Sequence, residues 1–124
     1  MSALTDYARN LLARAVCARG PSLPTTVYAA LGTGGTAAAG LSGEPAGNGY
    51  ARQRVTFTGT GTQQNAEAIR FVFSASAGTL THVGLYDAAS GGNALLVAPL
   101  ASPVVMAGTG TVTVAANSLA VNPT

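Results

Sequence analysis

The sequence of 124 residues contains no lysine and no tryptophan, and it has one cysteine and one histidine. Without lysine there is no Schiff base, no Ser-Lys dyad and no phosphate-loop ammonium. Four carboxylates, far apart in the sequence, add too few ligands to Cys17 and His82 for a zinc site. We therefore expect no cofactor and no metal, with a calcium site at Asp87 and Asn93 as the alternative left open. The carboxylates are Asp6, Glu44, Glu67 and Asp87.

Charge is also scarce, because only 8% of the residues are Asp, Glu, Lys or Arg, where a soluble domain typically has about 25%. The surface must then consist largely of Thr, Ser, Asn, Gly and Ala, whose short side chains lose little entropy and little hydration against a neighbouring subunit. A monomeric enzyme more usually carries interspersed charges for solubility. The composition predicts a non-enzymatic subunit of an assembly.

All six cations are arginines, and the sequence does not arrange them for a nucleic acid. Arg9, Arg14 and Arg19 recur every five residues, which on a helix places each about 140° from the last, so they form no single phosphate-tracking stripe. No segment approaches the roughly 18 apolar residues of a membrane span, and the start lacks the pattern of a secretion signal. We predict no nucleic-acid partner and no membrane association. The other cations are Arg52, Arg54 and Arg70.

Helical periodicity is confined to the N-terminus, over residues 4–16. Ser2 or Thr5 can cap the first turn, and Gly20 followed by Pro21 can stop the helix. The pattern predicts a helical arm over residues 1–20, whose apolar stripe is covered by the rest of the chain or by another subunit. The stripe consists of Leu4, Ala8, Leu11, Leu12, Ala15 and Val16.

After Pro24 the apolar residues alternate with period two, which is typical of half-buried strands. Regular spacing without further helical patterns predicts a mainly β domain over 21–124, an antiparallel β-sandwich or jelly roll of about seven or eight strands. The predicted strands are Thr25–Leu31, Tyr50–Thr58, Ile69–Ser74, Thr79–Asp87, Leu95–Leu100, Val104–Met106, Thr111–Ala115 and Leu119–Asn122.

Two stretches depart from this pattern. Residues 32–49 are rich in Gly, Ala and Ser without periodicity, and they predict a long flexible loop. Pro99 and Pro103 restrict their strand to a sheet edge or force a break near Ser102.

Catalytic arrangements do not emerge from the remaining polar residues. His82 and Asp87 are five residues apart on one strand, which puts their side chains on opposite faces, so His82 is predicted to be a packing or interface residue. Carbohydrate binding is the competing hypothesis, with Tyr28, Tyr50 and Tyr86 as platforms, although use in the core or an interface is favoured for each.

Three segments, 4–12, 49–57 and 81–93, together resemble a family of small tailed-phage virion proteins labelled tail-fibre or decoration-like. Their sequences are LTDYARNLL, GYARQRVTF and THVGLYDAASGGN. The resemblance implies a virion component without enzymatic activity and supplies no catalytic or cofactor residues. In the last segment Asp87 can bond a tight turn in which Gly91, Gly92 and Asn93 supply positive φ, and Gly84 indicates a bulge or a close backbone approach.

The leading hypothesis is a capsid decoration (cement) protein that stabilises the shell through subunit contacts, with the major capsid protein or other virion proteins as partners. The alternative is a tail or tail-fibre component that contacts the host surface. We expect a homo-oligomer, with a trimer favoured, located in the virion after synthesis in the host cytoplasm, which a free Cys17 fits. The candidate docking residues are Leu4, Tyr7, Leu11, Leu12, Arg52, Arg54, His82 and Tyr86.

Overall fold

The computed structural model describes residues 4–19, 26–36, 38–45, 47, 49–76, 78–116 and 119–121. Within them the chain forms one helix and eleven strands. The helix is α1 (Asp6–Val16), and the strands are β1 (Val27–Gly32), β2 (Gly34–Thr36), β3 (Gly40–Ser42), β4 (Gln53–Val55), β5 (Phe57–Thr58), β6 (Gln63–Asn65), β7 (Ile69–Phe73), β8 (Gly78–Tyr86), β9 (Ala94–Met106), β10 (Gly110–Val114) and β11 (Ala120–Val121).

Helix α1 begins where the sequence predicts, after Thr5. The Thr5 hydroxyl accepts a hydrogen bond from the Ala8 amide (3.2 Å) and donates one to the Ala94 carbonyl (2.6 Å), so the cap also ties the helix to β9. The helix ends at Val16, and Ala18 takes a positive φ of 56°. The predicted helix and its Thr5 cap are confirmed, whereas the Gly20-Pro21 stop and Ser2 lie outside the described residues.

The strands pair antiparallel throughout. The largest sheet has the order β4-β1-β8-β9, and smaller sheets have the orders β10-β7, β11-β6-β5 and β2-β3. Buried side chains from β1, β8 and β9 meet those from β7 and β10 in one hydrophobic core. The fold is mainly β with an N-terminal helix, as predicted, and its sheets pack in the manner of a sandwich.

Strand β7 illustrates the period-two pattern most clearly. Ile69, Phe71 and Phe73 are buried, while Arg70 and Val72 point outward. Phe71 and Phe73 have no exposed surface, so their burial removes a large apolar area from water and stabilises the fold.

Residues 32–49 are not only a loop, which corrects the prediction. Strands β2 and β3 form a hairpin that lies against the four-stranded sheet. Leu41 approaches Gly84, where an added Cβ would lie 3.3 Å from a Leu41 methyl carbon, and an added Cβ at Gly35 would lie 2.6 Å from Val97. Small residues hide the strand period because they carry no alternating apolar side chains, and here they allow the close approach.

The hairpin explains why parts of β1 and β8 are buried without alternation. The last four residues of each strand are all buried, because the core covers one face of the sheet and the hairpin covers the other. Gly84 therefore accommodates a side chain of the same chain, and the register shifts of β8 lie elsewhere, between Leu80 and His82 and between Leu85 and Tyr86.

Two predicted strands near the C-terminus form the single strand β9, at the edge of the four-stranded sheet. The edge position agrees with Pro99 and Pro103. In place of a break near Ser102, the strand continues with a register shift. Leu80 pairs with Val104, but His82, only two residues later, pairs with Pro99, five residues before Val104. Extra residues on one strand are thereby accommodated as a bulge without ending the strand.

Candidate functional site

A cluster of polar side chains joins the hairpin to the edge of the four-stranded sheet. Arg52 makes two parallel hydrogen bonds to the Glu44 carboxylate, from Nε to Oε2 and from Nη2 to Oε1, each 2.9 Å. The Tyr50 hydroxyl donates to Glu44 Oε2 (2.7 Å) and accepts from the Leu31 amide (3.0 Å). Bidentate pairs of this kind are the strongest and most directional ion pairs in proteins.

The same guanidinium reaches the turn that follows β8. Arg52 Nη1 donates to the carbonyls of Ala88 (3.0 Å) and Gly91 (2.8 Å). The guanidinium carbon lies 3.9 Å from the centre of the Tyr86 ring, and the Tyr86 hydroxyl accepts from the Leu41 amide (3.1 Å). One side chain therefore connects three segments that are distant in sequence, with a cation–π contact underneath.

The electrostatics of the cluster favour its charged form. Burial alone would raise the pKa of Glu44, but the hydrogen bonds from Arg52 and Tyr50 and the positive charge of Arg52 outweigh it, so this pKa lies below its ordinary value. Burial and the hydrogen bond to Glu44 raise the pKa of Tyr50. The hydrogen bond to Glu44 raises the pKa of Arg52. Glu44 is an anion and Tyr50 a neutral donor over the whole neutral range.

The turn held by Arg52 has the local structure that its sequence predicts. The Asp87 carboxylate accepts from the Asn93 amide (2.7 Å) and from the Asn93 side chain (3.1 Å). Gly91 and Gly92 have φ of 65° and 72°, as predicted, whereas Asn93 is not among the residues with positive φ. Asn93 contributes to the turn by hydrogen bonding instead.

This cluster is a structural junction, since its charged and polar groups are directed at one another and at backbone carbonyls. Tyr50 stacks on Phe71 and Phe73, with ring centres 6.0 and 5.7 Å apart, and Tyr86 is buried beneath Arg52. Neither ring is therefore presented as a carbohydrate platform. Among the residues that the structure describes, no group of three or more His, Cys, Asp and Glu side chains could hold a metal ion.

The candidate docking residues on the helix divide into two sets. Leu4 and Leu11 are only 7% and 9% exposed, because this side of α1 packs on β9 of the same chain. Tyr7 and Leu12 are each 42% exposed, and they lie about 140° apart around the helix, on either side of the buried positions Ala8 and Leu11. The predicted stripe is thus only partly covered by the same chain, and its members Leu12 and Val16, the latter 87% exposed, are available to another subunit.

The other candidates lie on the sheets. Arg52 and Tyr86 belong to the polar cluster, and Arg54 is exposed at the rim of a shallow cavity of about 270 Å³ that also contains Glu67. His82 is half-buried, and its Nδ1 lies 2.8 Å from the Thr81 hydroxyl, which donates to the Thr33 carbonyl. A docking role for any of these residues stays a prediction.

Sequence reasoning missed Glu44, although a carboxylate in a charge-poor stretch, eight residues before Arg52, was an available signal.

Comparison with known protein families shows which family the chain belongs to. Residues 3–122 match the model of the family described as podophage GP4 fiber I protein gp80. The chain belongs to this family. It is therefore a structural protein of a tailed-bacteriophage virion, as the three segments indicated, and membership of a fibre family favours a structural over a catalytic role. No curated protein matches the chain significantly. Within the described residues, no helix is both long and apolar enough to span a membrane.

Proposed function

We propose that this gp80-family protein is a structural subunit of the phage fibre. The observation that carries the proposal is the match to a fibre family over residues 3–122. The low charge of the chain supports it, because a surface of short neutral side chains is readily buried between subunits. The match favours the fibre over the capsid shell, which the sequence alone put first.

The structure supports a role in building the fibre rather than in holding a glycan. Two of the three tyrosines that could have formed a sugar platform, Tyr50 and Tyr86, are engaged inside the fold. The side chains left for contact with other virion proteins include Tyr7, Leu12 and Arg54, which the fold leaves exposed. Binding to the host surface is the second role open to a fibre subunit, and it can be tested separately from assembly.

Locating the chain in the particle tests the proposal. Gold-labelled antibodies raised against the purified protein should mark the fibres in electron micrographs of intact virions, with antibody preabsorbed on the protein as the control. Label on the capsid shell and none on the fibres would overturn the proposal and restore the decoration hypothesis.

Exposed contact residues can be tested in the same particle. Leu12→Glu should reduce incorporation of the subunit into fibres, because it places a carboxylate in a partly buried contact, whereas Arg9→Glu, on an outward-facing position of the same helix, should not. Equal incorporation of both variants would exclude this flank of α1 as a contact. Adsorption of the purified protein to host cells, measured in parallel, reports on direct host binding.

A further inference from the structure

Strand β10 presents an open edge. All five of its residues pair with β7, from Gly110 with Phe73 to Val114 with Ile69. In an antiparallel pair, alternate residues direct their amide and carbonyl groups away from the partner. Within the described part of the chain, no strand, loop or side chain hydrogen-bonds to that outer edge of β10. Unpaired backbone groups of this kind are a template for a further strand.

The other sheet edges among the described residues are protected. Strand β9 carries Pro99 and Pro103, and its start is covered by Leu4, which bridges to Leu96, and by the Thr5 amide, which bonds Leu95. Strand β7 has an arginine at its second position, and β2 to β6 and β11 are at most three residues long. Prolines, charges and shortness are the usual means of preventing strand addition. In this set β10 is the edge of five residues with neither proline nor charge.

The sequence of β10 matches itself in the antiparallel direction. Thr111, Val112 and Thr113 read the same both ways, so two copies related by a two-fold axis at Val112 place each Thr111 opposite a Thr113. Gly110 then lies opposite Val114, a small residue beside a large one. No charges meet, and β-branched side chains are favoured in cross-strand pairs.

We infer that two copies of this chain associate through their β10 edges, forming a continuous antiparallel sheet of the order β7-β10-β10-β7. The occupant of the edge is a second copy, because the central residues Thr111 to Thr113 pair with themselves in register and the strand carries no charge that would repel its copy. The association also extends a two-stranded sheet to four strands, and sheets of three or more strands are the stable ones. This inference concerns contacts between copies and does not depend on where the protein lies in the virion.

Light scattering of the purified full chain, with a reductant because Cys17 is exposed, tests the inference. The wild type should show a concentration-dependent dimer. Thr111→Lys with Thr113→Lys places ammonium groups opposite each other across the two-fold axis, and it should weaken association by at least about tenfold. The matched control is Thr58→Lys, an exposed strand threonine outside this sheet, which should leave the dimer unchanged. Circular dichroism confirms that each variant is folded.

Amide hydrogen exchange provides a second readout that needs no variant. Alternate amides of β10 should become protected as the concentration rises through the dimer transition, while those of exposed loops stay unchanged. A wild type that remains monomeric overturns the inference, as does an oligomer, including the trimer predicted from sequence, that persists in the folded double-lysine variant and leaves β10 exchange unchanged.

Discussion

Two polar anchors hold distant parts of this chain together, and they are built in opposite ways. Asn65 has no exposed surface and is neutral; its Oδ1 accepts from the Leu119 amide (2.8 Å) and its Nδ2 donates to the carbonyls of Glu67 and Ala115 (2.9 Å each). The Glu44–Arg52 pair is charged and closer to solvent, with side-chain exposures of 25% and 9%.

The two anchors differ in whether water can replace a hydrogen-bond partner that is lost. A fully buried amide has no solvent to replace a lost partner, so its stabilisation depends on every hydrogen bond being kept. A charged pair near the surface retains some hydration, and its strength varies with pH because one partner can be protonated. The first anchor should therefore be the stronger and the second the more responsive.

Removal of the Asn65 side chain should have the largest effect. Asn65→Ala leaves the Leu119 amide and two carbonyls without their partner, and we expect a loss of about 3 kcal/mol in the free energy of unfolding. Urea denaturation measures it. Gln63→Ala, which removes only bonds to exposed turn carbonyls, is the control and should cost less than about 0.5 kcal/mol. Similar losses in both variants would contradict the role given to Asn65.

Removal of the cation at the second anchor should cost less. Arg52→Met deprives Glu44 of its partner and leaves the carbonyls of Ala88 and Gly91 unpaired, but water can reach the carboxylate, so we expect a loss of about 2 kcal/mol. Hydrogen exchange should rise at Leu41 and in the turn after β8. Arg54→Met, at an exposed arginine two residues away, should change stability by less than about 0.5 kcal/mol. If Arg54→Met loses as much stability as Arg52→Met, the bidentate hydrogen bonds of Arg52 make no specific contribution to stability.

What the sequence predicts in this molecule is what local patterns encode. The cap at Thr5, the alternation in β7, the edge position of Pro99 and the glycines of the turn at Gly91 and Gly92 each depend on residues close together in the chain. Their physical signals, a side chain that accepts an amide, a period of two, a missing amide and a positive φ, are visible without the fold.

The contacts of Asn65, and those of Arg52 with the turn after β8, escaped prediction because these partners are remote, whereas Glu44 lies only eight residues before Arg52 but in a stretch predicted to be a loop. Asn65 bonds Leu119 across 54 positions, and Arg52 bonds Ala88 across 36, so no local periodicity marks them. The β2–β3 hairpin was missed for another reason, since glycines that permit its close packing also remove its pattern. The same limit applies to the apolar stripe of the helix. The sequence leaves open whether the rest of the chain or another subunit covers it, and only the fold shows that α1 packs against β9.

The smallest predicted effect, the response of the charged anchor to pH, separates the two anchors most directly. The pKa of Glu44 is lower in the folded chain than in the unfolded chain, so the folded state binds this proton less readily. The stabilisation by the Glu44–Arg52 pair is complete above the unfolded pKa of about 4.3 and is lost as the pH falls through the folded pKa.

Urea denaturation between pH 3 and pH 7, at roughly 0.1 M salt to limit changes in screening, should show a steeper loss of stability for wild type than for Glu44→Gln. Glu67→Gln, at an exposed carboxylate, should follow wild type, because it leaves the Glu44–Arg52 pair intact. Parallel curves for wild type and Glu44→Gln would mean that the ion pair contributes nothing beyond the geometry of its hydrogen bonds, and the two anchors would then differ in burial alone.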